Sequence, residues 1–357
     1  MIYEGKKLRV SVFGQSHAPA IGAVIDGLPA GFRIDREKLE AFLSRRAPGQ
    51  GTHTTARRET DKPEFLSGLT EDATCGAPVC AVIRNQDAHS SDYSLFRNQP
   101  RPSHADWPAM VKYGESYDIR GGGPFSGRLT APLCIAGGIA LQMLEEKGVF
   151  IGAHIQSIGT ADADEEFDPV RLGKKELDQI RKNGFPVLDP DAEEDYLKEI
   201  ERARKAGDSV GGIVECAAIG MPPGIGGPLF EGLESALSAA LFAIPAVRGV
   251  EFGDGFGASI AWGSENNDCY TVRDGKIRTK TNHAGGIVGG MTTGMPIILR
   301  AAFKPTPSIS SAQKTLNLET GEETELSIPG RHDPCVVTRA VPVVEAVTAM
   351  VLLDYLL

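Results

Sequence analysis

The chain has no two cysteines at CxxC spacing, no HxH or HxxxH, and no unbroken apolar run long enough to cross a bilayer. Each absence excludes a class. Cys75, Cys80, Cys134, Cys216, Cys269 and Cys335 lack the spacing of a zinc knuckle, and the seven histidines lack that of a metal-binding helix face, so no metal is expected. The stretch from Met1 to Lys7 has no apolar segment behind its charges. No secretory signal is therefore expected, and the cysteines read as reduced thiols of a cytoplasmic protein. The most apolar stretch, Val341 to Leu357, is broken by Pro342, Glu345 and Asp354. It reads as a buried core helix, and no membrane partner is expected. A surplus of positive charge is missing too: the net charge of −10 is wrong for a general nucleic-acid binder. There is neither a Walker A loop nor a GxGxxG dinucleotide loop.

Glycine, by contrast, is abundant: 42 of 357 residues, against a usual share of about 7%. That predicts many tight turns and close backbone approaches, useful where main-chain amides must reach a ligand. Basic residues cluster locally, at Arg45–Arg46 and Arg57–Arg58. Positive islands on an acidic chain suit a small anionic ligand, although each pair alone reads equally as a solvated loop.

The hydrophobic pattern predicts strands over 8–13, 21–25, 77–83, 149–158, 211–219, 257–262 and 296–303. It predicts a helix over 36–44 capped by Asp35, and one after the glycine run, with Ile135, Ile139 and Met143 on one face. Further helices are predicted over 193–205, around Leu233, Leu237 and Leu241 and ending at Pro245, and around Val343, Val347 and Val351. Residues 45–62 and 87–108 read as irregular, and the acidic stretch 161–166 as a surface excursion. Strands and helices mix without a strict βαβ rhythm, so the expected class is α+β in layers, with residues 1–357 as a single catalytic domain. Gly27-Leu28-Pro29-Ala30-Gly31 is echoed by Gly220-Met221-Pro222-Pro223-Gly224. Each precedes a helix and, later, a glycine-rich run, at 121–123 and 285–290. Internal duplication and coincident turn chemistry both account for the echo.

Three separated segments carry chemistry. Gly14-Gln15-Ser16-His17 ends a strand and resembles the start of a GxSxG elbow. Ala18 and Pro19 break that motif, which leaves His17 as a candidate acid. His104 lies in Arg101-Pro102-Ser103-His104-Ala105-Asp106, between opposite charges that can tune an imidazole for acid–base work. Gly121-Gly122-Gly123, flanked by Arg120 and Arg128 with Ser126 between them, offers amides, a hydroxyl and guanidiniums for a phosphate or carboxylate. Asn282 to Gly290 is a second glycine-rich loop, followed by Lys304-Pro305-Thr306-Pro307-Ser308. Arg331 and Asp333 complete the set, with a buried Arg–Asp pair as the structural alternative.

Together these segments resemble the chorismate synthase family, nearly end to end. The resemblance rests on Phe13-Gly14-Gln15-Ser16-His17; on Arg45-Arg46-Ala47-Pro48-Gly49 with Thr54-Thr55-Ala56-Arg57-Arg58-Glu59; and on Arg101 to Asp106 with Lys112-Tyr113-Gly114. It rests further on Gly330-Arg331-His332-Asp333-Pro334-Cys335 with Arg339-Ala340-Val341-Pro342. It implies a sheet–helix–sheet sandwich, a homotetramer, and 1,4-elimination of phosphate from 5-enolpyruvylshikimate-3-phosphate. It also implies reduced FMN as cofactor, with NADPH and a flavin reductase only as the source of reduced flavin.

By match to the family's motifs, Arg46, Arg58, Arg128 and Arg339 would bind substrate anions. His17 would protonate the departing phosphate, His104 would serve the flavin, Asp333 would relay the proton, and Ser16 and Ser126 would orient these groups. FMN would lie against Ser126, Ala246, Gly289, Lys304, Pro305, Thr306, Pro307, Ser308, Arg331 and Arg46. The commoner family form has Glu at 15, Gly at 18, Arg-Ser at 124–125, Glu at 129, Asn at 245 and a basic residue at 52. Here those positions hold Gln15, Ala18, Pro124-Phe125, Leu129, Pro245 and Thr52. The competing readings are an FMN-dependent oxidoreductase or flavin reductase acting on a related anion, and a non-catalytic anion-binding module.

Overall fold

The computed structural model describes residues 1–49, 61–85, 95–161, 164–328 and 333–357. In the first half, strands β1 (Ile2–Glu4), β2 (Arg9–Gly14) and β3 (Ala20–Asp26) are followed by helix α1 (Arg36–Arg46) and strands β4 (Glu64–Ser67), β5 (Leu69–Thr70), β6 (Ala73–Thr74) and β7 (Val79–Arg84). Helices α2 (Asp106–Tyr113) and α3 (Thr130–Glu146) close it. One antiparallel sheet runs β1-β2-β3-β7-β4.

The second half opens with β8 (Phe150–Ile158), α4 (Lys174–Lys182), α5 (Pro190–Lys205), β9 (Gly212–Ile219), α6 (Leu233–Leu241) and β10 (Val247–Phe252). A short helix α7 (Gly263–Asn266) and the small hairpins β11 (Tyr270–Arg273)–β12 (Lys276–Thr279) and β13 (Ile287–Val288)–β14 (Met291–Thr292) precede β15 (Ile297–Phe303). The hairpin β16 (Gln313–Leu316)–β17 (Glu323–Leu326) and helix α8 (Val337–Leu356) follow. The second antiparallel sheet runs β8-β9-β15-β10.

The halves share one topology. The series β2, β3, α1, β4, β7, α3 corresponds to β8, β9, α6, β10, β15, α8. The sheet orders β2-β3-β7-β4 and β8-β9-β15-β10 match strand for strand. Gly27 and Gly220 sit at equivalent turns, with φ near +90°. A side chain at Gly27 would overlap the Lys7 carbonyl, and one at Gly220 the Gly148 carbonyl. The echo of the two Gly-Pro segments is therefore a true repeat of structure. The two glycine runs are not counterparts. Residues 121–123 lie between β7 and α3, whereas 285–290 lie between β10 and β15; the counterpart of the first run is the segment that precedes α8.

Helix α3 packs on β2, β3 and β7, α8 packs on β8 and β9, and the two helices pack on each other, which gives the sheet–helix–sheet layering. Both are buried almost all round, as a helix between two sheets must be. Among the described residues, Gly127–Glu146 is the one helical stretch long and apolar enough to cross a membrane, and 83% of it is buried inside the fold. Gly137 allows α3 to meet α8 at close range, since a side chain there would overlap Ala346. Helices α4 and α5 cover the outer face of the second sheet. There Leu177 and Ile180 meet Phe167, Ala217 and Ile298. The two ends of the chain also meet: the Asp354 carboxylate accepts from the amides of Lys6, Lys7 and Leu8 at 2.7–2.8 Å.

Several sequence expectations are corrected. Residues 255–260 form a 3-10 turn and not a strand, and the strand of that region is β10, earlier in the chain. Helix α2 occupies part of a stretch read as irregular. Asp164 is not on the surface. Its carboxylate accepts from the Glu165, Leu188 and Asp189 amides and contacts buried His154, which lies 2.9 Å from Glu215 on its other side. The six cysteines are free.

Candidate active site

The segments that lead into α3 and α8, one from each half, face each other across a cavity of about 390 Å³. Its walls include His104, Ser126, Arg128, Lys304, Asp333 and Arg339. Arg46, Ala246, Thr306, Pro307 and Ser308 line it as well. Pro305 lies within the same segment as Lys304 but outside the lining. Gly289 is in the β13–β14 turn and is not brought to this cavity. Arg58 and Arg331 lie outside the described residues, as do Arg57 and Thr52.

Helix α1 delivers Arg46 from its last turn, and the 3-10 turn before α3 delivers Arg128. Both guanidiniums bond Asp61, one to each carboxylate oxygen: Arg46 Nη1 to Oδ2 and Arg128 Nη1 to Oδ1. Burial alone would raise the Asp61 pKa, but the two cations outweigh it and hold the carboxyl below its usual range. Arg339 donates through Nε to the Arg46 carbonyl at 3.0 Å and through Nη1 to Asp333 at 2.5 Å. Asp333 thus pairs with Arg339, in the first turn of α8; the Arg331–Asp333 pairing that the sequence offered as an alternative falls on Arg331, outside the described residues.

The chain of contacts continues to the first motif. Arg128 Nε donates to Asn85 Oδ1 at 3.2 Å, and Asn85 Nδ2 donates to the Gln15, Ser16 and Ala18 carbonyls. Ser16 and His17 sit in the β2–β3 connection, packed against Gly121. Gly121 lines the cavity, but Ser16 and His17 do not. Gly121 has φ +59, and a side chain there would overlap Ser16 Oγ, so only glycine serves. Ser126 Oγ accepts from the Arg128 amide at 3.2 Å, which sets the direction of the Arg128 turn.

His104 lies across the glycine run from that turn. Its Nδ1 is 2.6 Å from Asp106 Oδ1 and 3.1 Å from Arg101 Nη2. The carboxylate contact is the shorter and requires a donor, so the ring proton belongs on Nδ1 and Nε2 is left to exchange protons. Nε2 faces Gly122, where a Cβ would stand 3.2 Å away. Burial lowers the His104 pKa first, Arg101 and Lys304 lower it further, and Asp106 only partly compensates. Asp106 is held well below the usual carboxylate range: burial opposes this, and the bonds from Arg101 and His104 prevail. Arg101 also donates to Ser308 Oγ at 3.2 Å, which ties the His104 segment to the Lys304–Ser308 segment of the other half. Lys304 is fixed by its amide, which donates to the Ala246 carbonyl at 2.9 Å, and burial lowers its pKa. Ala246 itself has φ +76, a strained backbone for a residue with a side chain.

Asp61, Asn85, Arg101 and Asp106 are the residues that a search for motifs underrates. The Arg-Pro-Ser-His-Ala-Asp segment advertised the opposite charges around His104. Nothing in the polar run around Asp61 marks it as the partner of two arginines.

A donor set of four arginines, with Arg101 tied to Asp106, and a lysine suits a ligand rich in phosphate or carboxylate. The apolar wall formed by Ile244, Pro245, Val336, Ala340 and Val343 suits a flat ring system. The family model described as chorismate synthase matches residues 8–357. A chorismate synthase of Thermococcus kodakarensis is 48% identical over 353 residues, covering 99% of this chain and 97% of the relative. One of Korarchaeum cryptofilum is 47% identical, covering 99% and 96%. A solved structure titled "Crystal Structure of Chorismate Synthase" superposes with a TM-score of 0.77 at 27% identity, covering 99% of this chain and 92% of that one.

Proposed function

This chain belongs to the chorismate synthase family of the shikimate pathway, and on that premise we propose that it converts 5-enolpyruvylshikimate-3-phosphate to chorismate and phosphate with reduced FMN. The observation that carries the reading is the single cavity that gathers Arg46, Arg128, Arg339, Lys304, Asp333 and His104 from both halves of the chain. In the elimination the C–O bond to phosphate breaks, a ring C–H bond breaks, and a new C=C bond forms. The substrate's two carboxylates and phosphate give the arginines their task.

The residues fit a bound flavin. Lys304, Thr306 and Ser308 offer a cation and hydroxyls, and the strained Ala246 backbone beside an apolar wall admits a ring. Reduced FMN would supply electron density to the departing group and recover it within each turnover. Ser126 and Arg46 belong to the same lining and would complete its contacts. His104, with Nδ1–H held by Asp106, would exchange a proton at Nε2. Its lowered pKa keeps the ring neutral near pH 7 until a ligand's negative charge raises it. Asp333, held by Arg339, would relay the ring proton. His17, behind Gly121, would protonate the leaving phosphate, with Ser16 orienting it. Arg58 and Arg331 are assigned by motif to substrate and flavin.

We further propose a homotetramer in the cytoplasm, with reduced flavin supplied by a separate NADPH-dependent reductase. Phe256, Ile260, Trp262, Tyr270, Val272 and Ile277 are all exposed within residues 256–277, apolar side chains that a subunit contact would cover. Sedimentation at micromolar protein should return the tetramer; a monomer would remove this part of the reading.

The decisive assay is anaerobic, with purified protein, substrate and chemically reduced FMN. Chorismate absorbance and released phosphate should rise in equal amounts over many turnovers per flavin. One reductant consumed per product would instead indicate an oxidoreductase, and no product with FMN bound would exclude the proposed substrate.

A further inference from the structure

Asp61 belongs to none of the motifs, yet it bridges two of the arginines that line the cavity. Its side chain is fully buried, and those of Arg46 and Arg128 are 2% and 5% exposed. Each carboxylate oxygen takes one guanidinium, and the two arginines come from different elements, α1 and the turn before α3. Without the carboxylate, two buried cations would face each other unscreened, an arrangement far costlier than the paired one. The Arg46 carbonyl holds Arg339, and Arg128 holds Asn85 and through it the Ser16–His17 turn. The spacing of all three arginines and the seat of that turn therefore depend on one acid.

We propose that Asp61 is the positioning residue of the anion site: it fixes the separation of Arg46 and Arg128 and neutralises part of their charge, so that the cleft favours a ligand with two anionic groups at set spacing over a lone phosphate. The proposal rests on the anionic substrate assigned above. It explains why four arginines can share one cleft without making it a general anion trap: Asp106, Asp333 and Asp61 offset three of the four charges, and a ligand must bring its own charge in the geometry the Arg46–Arg128 fork dictates.

The test compares Asp61→Asn and Asp61→Glu with the unaltered protein, all first shown to be folded by thermal unfolding. Inorganic phosphate is titrated calorimetrically at two salt concentrations, and kcat and KM are measured with 5-enolpyruvylshikimate-3-phosphate. Asp61→Asn removes the charge and sets an amide donor against a guanidinium donor. Phosphate should bind about tenfold tighter, with a steeper salt dependence, while kcat falls about tenfold or more. Asp61→Glu keeps the charge and alters the spacing: phosphate affinity should stay within about twofold, while kcat still falls. A purely structural role would lower the active fraction and leave phosphate affinity and KM unchanged. That result in Asp61→Asn overturns the proposal, and so does an unaltered kcat in a folded Asp61→Glu. Should Asp61→Asn fail to fold, Asp61→Glu decides alone. Phosphate binding needs no turnover, so a protein that makes no chorismate but shows the Asp61→Asn effect would refute the substrate and uphold the role of Asp61.

Discussion

The two halves share a strand order, yet they fill their connections differently. In the first half the link between β2 and β3 is a short turn that carries Ser16 and His17. In the second, the equivalent link between β8 and β9 holds α4 and α5, whose contacts are structural. Before α3 the first half places His104, the glycine run and Arg128; the second places Lys304 to Ser308 and Asp333 before α8 and Arg339 in its first turn. The repeated framework aims both segments into one cleft, and each half then specialises. The first half brings the two candidate histidines, and the second brings Lys304, Asp333 and the apolar wall. The difference teaches that the sheets fix where the site is, while the connections decide what it does.

The largest expected effect breaks the division of labour. His104→Ala should lower kcat by about 10²–10⁴-fold with flavin binding retained, checked by stopped-flow turnover and flavin titration. Near-normal turnover would remove the acid–base assignment. Arg128→Ala and Arg339→Ala, one from each half and each near the start of its central helix, should each cost about 10–100-fold in kcat/KM. Lysine at either position should rescue poorly, because it cannot reproduce the fork. A loss confined to one of them would mean that only one half grips the substrate.

Gly27→Ala and Gly220→Ala sharpen the comparison on the side of stability. Both turns have positive φ and backbone in the way of a side chain, so each should lose roughly 2–4 kcal/mol by denaturant unfolding. Clearly unequal losses would weaken the equivalence of the halves.

A smaller effect concerns His154, which has no counterpart in the first half. Burial lowers its pKa, but hydrogen bonds and charge from Asp164 and Glu215 win and raise it above the ordinary histidine value. With the folded pKa above the unfolded one, its contribution to stability is complete below about pH 6.5 and is lost as pH rises through the folded value. His154→Gln should therefore flatten the stability profile on the alkaline side of pH 6.5, read as the melting temperature against pH. A parallel shift at all pH values would contradict the assignment. Smallest of all, Lys198→Ala on α5 should leave stability unchanged within error. Its ion pairs with Glu194 and Asp195 are exposed.

Much of this was legible in the sequence, for physical reasons that differ by element. Strands β2 and β3 and helix α6 announce themselves because a buried face imposes a period, whereas α3 and α8, buried almost all round, show as long apolar runs. Helix α2 escaped because Pro108 looks like a breaker; it stands in the first turn, where the missing amide hydrogen costs nothing. The apolar run at 257–262 looked like a strand because its large side chains are apolar, yet Ile260 and Trp262 face outward. In the site, the histidines and arginines were legible as types. Their pairing was not: Asp61 lies 67 positions from Arg128, and no local pattern joins them. Nor could sequence show that Gly289 would stand apart from the cavity.

The Asp354 clasp has a mechanical consequence. Three amides near the start of the chain are held by one carboxylate near its end, and a Lys6 ammonium lies over the Tyr355 ring. A load that has passed β1 meets those three bonds together before it reaches β2. The segment Lys6–Leu8 and the last turn of α8 then come free together. Amide exchange at Lys6 to Leu8 should quicken in step with the last turn of α8 when Asp354 is replaced by Asn, so the chain fails there as a closed ring does, at its fastening.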